Sequence, residues 1–241
     1  MRESIKEFLT YLTTEKMHPD NTVNSYRMDL NLFLSYLEKK KIMDINKIDK
    51  FTIIDYLSFL KEKHKLQSVA RNLSALKTFF KFLVLEKGLK QNVVSDIETP
   101  KLVKRLPSTL SEEEVKKIIE GTEKESKEEI RDKAIIELLY ASGMRISELV
   151  NLKLQNYDPN AQYIRCIGKG NKERIIPIGK FAANAIDKYI ETARKDIMRK
   201  SGSTDDTLFL NRNGEKLSRV WIWRIIKNRV KLTGIKKKVT P

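Results

Sequence analysis

Apolar residues recur at three- and four-residue intervals through the first hundred positions, and that period predicts four amphipathic helices. Ile5, Phe8, Leu9 and Leu12 form the first stripe. Val23, Tyr26, Leu30, Phe33, Leu34 and Leu37 form the second, with Asn21 or Thr22 available as its N-cap. Ile53, Leu57 and Leu60 mark a third. The fourth runs from about Ser68 through Val69, Leu73, Leu76, Phe80 and Leu83 and stops near Gly88, a residue suited to a left-handed helix end. Four such stripes can bury one another in a small bundle. The other side of the fourth helix carries Arg71, Ser74, Thr78 and Lys81, a set that suits phosphates and base edges and equally suits a solvated face.

The period lapses over IETPKLVKRLPS, which holds two prolines and three basic residues against one acid. Proline favours extended backbone, so this stretch reads as a linker whose charge would suit a strap across a phosphate backbone. The resulting division is a helical domain over 1–97, a basic linker over 98–108 and a second domain over 109–241. There Ser111 and Glu114 stand in capping-box spacing ahead of Val115, Ile118 and Ile119, and a further helix from about Glu129 to Ala141 ends at Gly143. Past Leu154 the period shortens: YIRCI and ERIIPI flank GKGNK and predict a hairpin over Tyr163–Ile178. A long helix from about Phe181 to Lys200 follows, then an extended piece with an Asn-Gly turn in LFLNRNGEKLS. Ser218 caps a last predicted helix with Val220, Trp223, Ile226 and Val230 inward, and with Arg219, Arg224, Lys231 and Lys236 to Lys238 outward. The fold class is mainly α with a small β-hairpin or sheet.

Charge adds a functional direction. The 241 residues carry a formal net charge of +16. Residues 1–150 hold 27 Lys and Arg against 24 Asp and Glu, whereas residues 151–241 hold 21 against 8. An excess concentrated in one part favours a polyanionic partner, because each cation placed on a phosphate releases condensed counterions, although a lysine-rich solvated surface fits the same count. No run approaches the roughly 20 apolar residues that span a bilayer, and no N-terminal segment has a signal peptide's centre, so a cytoplasmic protein without a membrane partner is expected. Cys166, His18 and His64 form no zinc-type cluster, so metal binding through nitrogen and sulfur is not expected.

Two basic elements carry candidate chemistry. GKGNKER lacks the spacing of a P-loop and reads as a hairpin tip bearing Lys169 and Lys172, either a cationic finger or a solvated turn. In YASGMRISELVNLKL, Arg145 follows a helix-ending glycine and precedes the apolar set Ile146, Leu149, Val150 and Leu152. A guanidinium fixed beside a buried turn can give two parallel hydrogen bonds to a phosphate or a carboxylate. Glu148 could pair with it, so a structural ion pair and a phosphate clamp both fit.

In order and spacing, ASGMRISELVNL, the hairpin with GKGNKERIIPI, and LFLNRNGEKLS together resemble the catalytic domain of tyrosine site-specific recombinases, particularly the Xer type. NTVNSYRMDL, SVARNLSALKTFFKFL and PKLVKRLPSTLSEEEV resemble the same family's N-terminal domain and linker, so the likeness covers essentially the whole chain. It implies a four-helix SAM-like core-binding domain followed by an α+β tyrosine-recombinase catalytic domain. It also implies that Arg145 is the first arginine of the active site and Lys169 its hairpin lysine. In this family a tyrosine attacks a DNA phosphodiester, forming a 3′-phosphotyrosyl link and freeing a 5′-hydroxyl, with no metal or nucleoside triphosphate required. Double-stranded DNA is the implied partner and a homotetramer the implied assembly, serving chromosome partition, integration or inversion. Arg71, Asn171, Lys172, Arg174 and Arg219 are expected as further DNA contacts, individually or through bulk charge.

The family pattern next calls for a His-x-x-Arg helix, a further histidine or tryptophan, and then the nucleophile, whereas the sequence ends at Pro241 after GIKKKVTP. The expectation is an incomplete catalytic domain, monomeric in solution, that binds DNA without cleaving it. The alternative is a non-catalytic DNA-binding protein, architectural or regulatory, on the same fold.

Overall fold

The apolar stripes of the first hundred residues close on one central helix. In order they are α1 (Arg2–Thr14), α2 (Asp20–Lys39), α3 (Lys50–Lys63) and α4 (Leu66–Lys87), with a 3-10 turn at Ile45–Lys47. The computed structural model describes residues 1–101, 109–121, 126–168 and 172–240, and the chain divides into two units, Met1–Arg105 and Leu106–Pro241. Most of the predicted linker, 102–108, lies outside the described residues. In the first unit Val69, Leu73, Leu76, Phe79, Phe80 and Leu83 form the buried face of α4 against the other helices. Phe8 meets Phe79 edge-on at 5.3 Å, and Phe33 meets Tyr56 at 4.9 Å. Full burial of each such side chain stabilises by roughly 1.5–3 kcal/mol, which makes this aromatic seam the principal support of the bundle. Gly88, at φ 67°, ends α4 in the left-handed conformation that side chains with a Cβ resist. The expected cap of α2 differs: Pro19 stands at the N-cap with φ −58°, so Asn21 and Thr22 lie inside the first turn and cap nothing.

The second unit begins with α5 (Glu112–Glu120) and α6 (Lys127–Ser142). The capping box on α5 is present in both directions, Ser111 N–H to Glu114 Oε2 at 2.7 Å and Glu114 N–H to Ser111 Oγ at 3.2 Å. After the short α7 (Ile146–Leu149), strands β1 (Tyr157–Asp158), β2 (Tyr163–Ile167) and β3 (Glu173–Pro177) form an antiparallel sheet in that order. The β2–β3 register pairs Ile164 with Ile176 and Cys166 with Arg174. Ile164 and Cys166 face a core of Ile135, Leu138, Ala183, Ile186, Leu208 and Ile222.

The predicted long helix is interrupted. α8 (Gly179–Lys188) passes through a π-helical turn, Tyr189–Arg194, before α9 (Lys195–Ser201). The wider turn leaves both Tyr189 and Arg194 buried. Tyr189 Oη accepts from Leu210 N–H at 3.0 Å, while Arg194 donates to the carbonyls of Asp205, Thr207 and Leu208 at 2.9–3.2 Å. Those bonds pin the extended 205–210 segment, which turns at Gly214 and leads to Ser218, the cap of α10 (Arg219–Leu232). The inward face of α10 differs from the predicted one: Ile222, Ile225, Ile226, Arg229 and Val230 are buried, whereas Val220 and Trp223 are exposed. Arg229 takes an inward position because Glu129 on α6 neutralises it. No helix among the described residues is long and apolar enough to cross a membrane.

Candidate active site

Gly143 ends α6 at φ 58°, and the reversal it permits sends the chain through buried Met144 to Arg145, the residue that caps α7. Leu149, Val150 and Leu152 are buried just beyond, so the backbone at Arg145 is anchored to the core. Its side chain is nevertheless 67% exposed. The anchor for the guanidinium is Glu148, whose side chain is only 6% exposed and accepts from Arg145 twice: the backbone N–H at 2.8 Å and Nη1 at 3.1 Å.

The same carboxylate accepts from Arg174 on β3, Nη2 to Oε2 at 2.8 Å and Nη1 to Oε1 at 3.2 Å. Burial disfavours the Glu148 charge, but the Arg174 guanidinium, the Arg145 N–H and the Arg145 guanidinium outweigh it and hold the carboxyl at about 2. Glu148 is therefore ionised throughout the neutral range, a fixed negative charge between two arginines. Gly168, where β2 gives way to the turn, makes room for this pair, since a Cβ there would come within 2.8 Å of Arg174 Nη1. The Gly168 N–H donates to the Lys172 carbonyl at 2.8 Å, one backbone bond beyond the Ile167–Glu173 pair of the β2–β3 ladder.

Of the predicted site residues, the fold brings together Arg145 and Arg174, joined by Glu148. Lys172 is exposed at the hairpin mouth. Lys169 and Asn171 lie outside the described residues. Arg219 is exposed as the first residue of α10, a helix that packs against α7. Arg71 belongs to the first unit, where it pairs with Asp29 at 2.9 Å. Sequence reasoning admitted Glu148 as a partner of Arg145 but did not see that it serves Arg174 as well.

Two family models divide the chain between them. The model described as the phage integrase N-terminal SAM-like domain matches residues 5–87, and that of the phage integrase family matches residues 108–241. The chain belongs to the phage integrase family. Within it, the Xer-named tyrosine recombinases are similar throughout: 36% identity to tyrosine recombinase XerD of Listeria monocytogenes, covering 100% of this chain and 82% of the relative. Tyrosine recombinase XerC of Halalkalibacterium halodurans is 37% identical over 98% of this chain and 79% of its own length. Among solved structures, a lambda integrase dimer bound to a COC′ core site shares the integrase fold at a TM-score of 0.74 and 18% identity, covering 100% of this chain and 84% of that one. XerA recombinase aligns at a TM-score of 0.50 and 29% identity over 100% of this chain and 80% of that one.

Not every cation of this integrase-family chain serves its surface. Arg131, Arg194 and Arg229 are buried and spent on Asp132, on backbone carbonyls and on Glu129 respectively. The tyrosines of the second unit are also partly committed: Tyr157 donates to Asp187 at 2.8 Å and Tyr189 holds Leu210. Burial, and then the hydrogen bond to Asp187, push the Tyr157 hydroxyl well above its ordinary value, which makes it a poor nucleophile.

Proposed function

We propose that the chain is a site-specific DNA recombinase of the Xer type that binds duplex DNA, with Arg145 clamping the nonbridging oxygens of the phosphodiester at which strands are exchanged. The observation that carries this reading is the arrangement at Arg145, a guanidinium fixed along one edge by an ionised, buried Glu148 and otherwise open to solvent. A fixed donor of this kind needs no reorganisation as charge builds on a five-coordinate phosphorus, and removing one costs about 3 kcal/mol of transition-state stabilisation. Lys169 is assigned to protonate the departing 5′ oxygen, and Arg71, Asn171, Lys172, Arg174 and Arg219 to contact DNA. The chemistry is a transesterification: a tyrosine oxygen replaces the 5′ oxygen on phosphorus, and a 5′-hydroxyl later reverses the exchange, so the bond energy is retained.

These 241 residues by themselves are proposed to bind DNA, as a cytoplasmic monomer, without cutting it. Both histidines, His18 and His64, fall in the first unit, and none of Tyr140, Tyr157, Tyr163 and Tyr189 follows a His-x-x-Arg sequence. The test is incubation with a nicked recombination-site suicide substrate, which should yield a salt-sensitive complex and no covalent adduct; an adduct would overturn the inactive assignment. In any form of the protein that carries the family's tyrosine nucleophile, the same assay should yield the 3′-phosphotyrosyl adduct and, at higher concentration, a tetramer on DNA. Absence of any adduct there would favour the second reading, a non-catalytic DNA-binding protein, which the commitment of Tyr157 and Tyr189 to the fold supports.

A further inference from the structure

We propose that Asp29 is a positioning residue that holds Arg71 as a preoriented phosphate contact on the first unit, a role that rests on the reading that the chain binds duplex DNA. Asp29 is 4% exposed on α2. Its Oδ1 accepts from Arg71 Nη2 of α4 at 2.9 Å, while the Arg71 side chain remains 49% exposed. A guanidinium has five N–H donors, and the bond to Asp29 is the one Arg71 makes among the described residues, so one edge is tethered and the other faces solvent. Asn72, the next residue on α4, fixes the tether by donating from Nδ2 to the Asp29 carbonyl and to Oδ1, both at 3.3 Å.

Stability is a weak reason for such a pair. Burying a carboxylate costs desolvation that a well-packed apolar residue avoids, and half of its partner lies in water, where the attraction is screened. The surroundings supply a better one. Asp29 is the one acidic residue of α2 between Asp20 and Glu38, and it sits beneath a cation, so no carboxylate along that stretch faces solvent. On α4 the exposed ridge from Arg71 runs through Ser74 to Lys81, with half-buried Thr78 between, and meets no acid before Glu86. Short hydroxyls between two cations let a phosphate backbone approach closely, and a tethered arginine loses less freedom on binding than a loose lysine.

The test compares the full 241-residue chain with Asp29→Asn, Arg71→Ala, Arg71→Lys and the Asp29→Asn/Arg71→Ala pair for duplex affinity across a salt series, with thermal melts run alongside. Asp29→Asn removes a negative charge, so electrostatics alone predicts tighter binding; positioning predicts binding weakened about tenfold and a salt slope reduced by about one phosphate contact, as for Arg71→Ala. The double variant should bind no worse than Arg71→Ala. Arg71→Lys, which keeps the charge and loses the fork, should fall close to Arg71→Ala and keeps the question decidable if Asp29→Asn fails to fold. Unchanged or tighter binding by Asp29→Asn, or full affinity in Arg71→Lys, overturns the positioning role alone. Failure of the wild-type chain to bind duplex DNA overturns this role and the functional reading together.

Discussion

Arg174 and Glu148, 26 residues apart in sequence, meet through two hydrogen bonds that lock the β-hairpin onto the turn carrying Arg145. Because Arg145 shares the carboxylate, three side chains from two parts of the chain behave as one unit. The guanidinium of Arg145 is thereby bonded on one side while the rest stays open to solvent, the arrangement that the proposed phosphate clamp requires.

The first expectation concerns acid. Glu148 is held at about 2 in the fold, against an ordinary value near 4.5. Its stabilisation is fully present above the unfolded value and is lost as pH falls through the folded one, a contribution of about 3 kcal/mol. Denaturant titrations of wild type and Glu148→Gln between pH 6 and pH 2.5 should therefore converge toward the acid end. Parallel curves separated by a constant gap would show that the ionisation is not what matters.

Gly168→Ala places a methyl 2.8 Å from Arg174 Nη1 and should lower stability by about 1–2 kcal/mol through crowding of the pair. The same substitution in an Arg174→Ala background should be nearly neutral. Equal losses in both backgrounds, measured by thermal melts, would place the cost in the turn itself.

For Arg145, the measurement is cleavage against affinity in whichever form of the protein makes a covalent adduct. Arg145→Ala should slow adduct formation by at least about a hundredfold while duplex affinity changes less than about tenfold. A matched loss in both would reduce Arg145 to a binding or folding residue.

In the same adduct-forming protein, Lys169→Ala should slow cleavage of an ordinary phosphodiester and recover on a substrate with a 5′-thio leaving group, which departs with little protonation. Without recovery the general-acid role fails.

Much of the fold was legible because its determinants are local. Helical period placed the stripes of α1 to α4, and Gly88, Gly143, Ser218 and the Ser111–Glu114 box marked ends that depend on a few adjacent residues. The face of α10 was read correctly at Ile226 and Val230 but not at Val220 and Trp223, because the buried stripe is rotated toward Arg229, whose partner Glu129 lies 100 residues earlier. The π turn was likewise invisible, since what it accommodates is a set of bonds from Tyr189 and Arg194 to the backbone of 205–210.

By itself, then, the sequence determined most of the helices and the caps at Ser111 and Ser218, the hairpin strands, the basic second half and the corner at which Arg145 stands. Which carboxylate each arginine would meet was decided only by the tertiary structure. Glu148 between Arg145 and Arg174, and Asp29 beneath Arg71, are pairs created by strand register and helix packing. An arginine's worth to a phosphate depends on how much of its guanidinium is already bound and how much still faces water, and neither quantity is a local property of the chain.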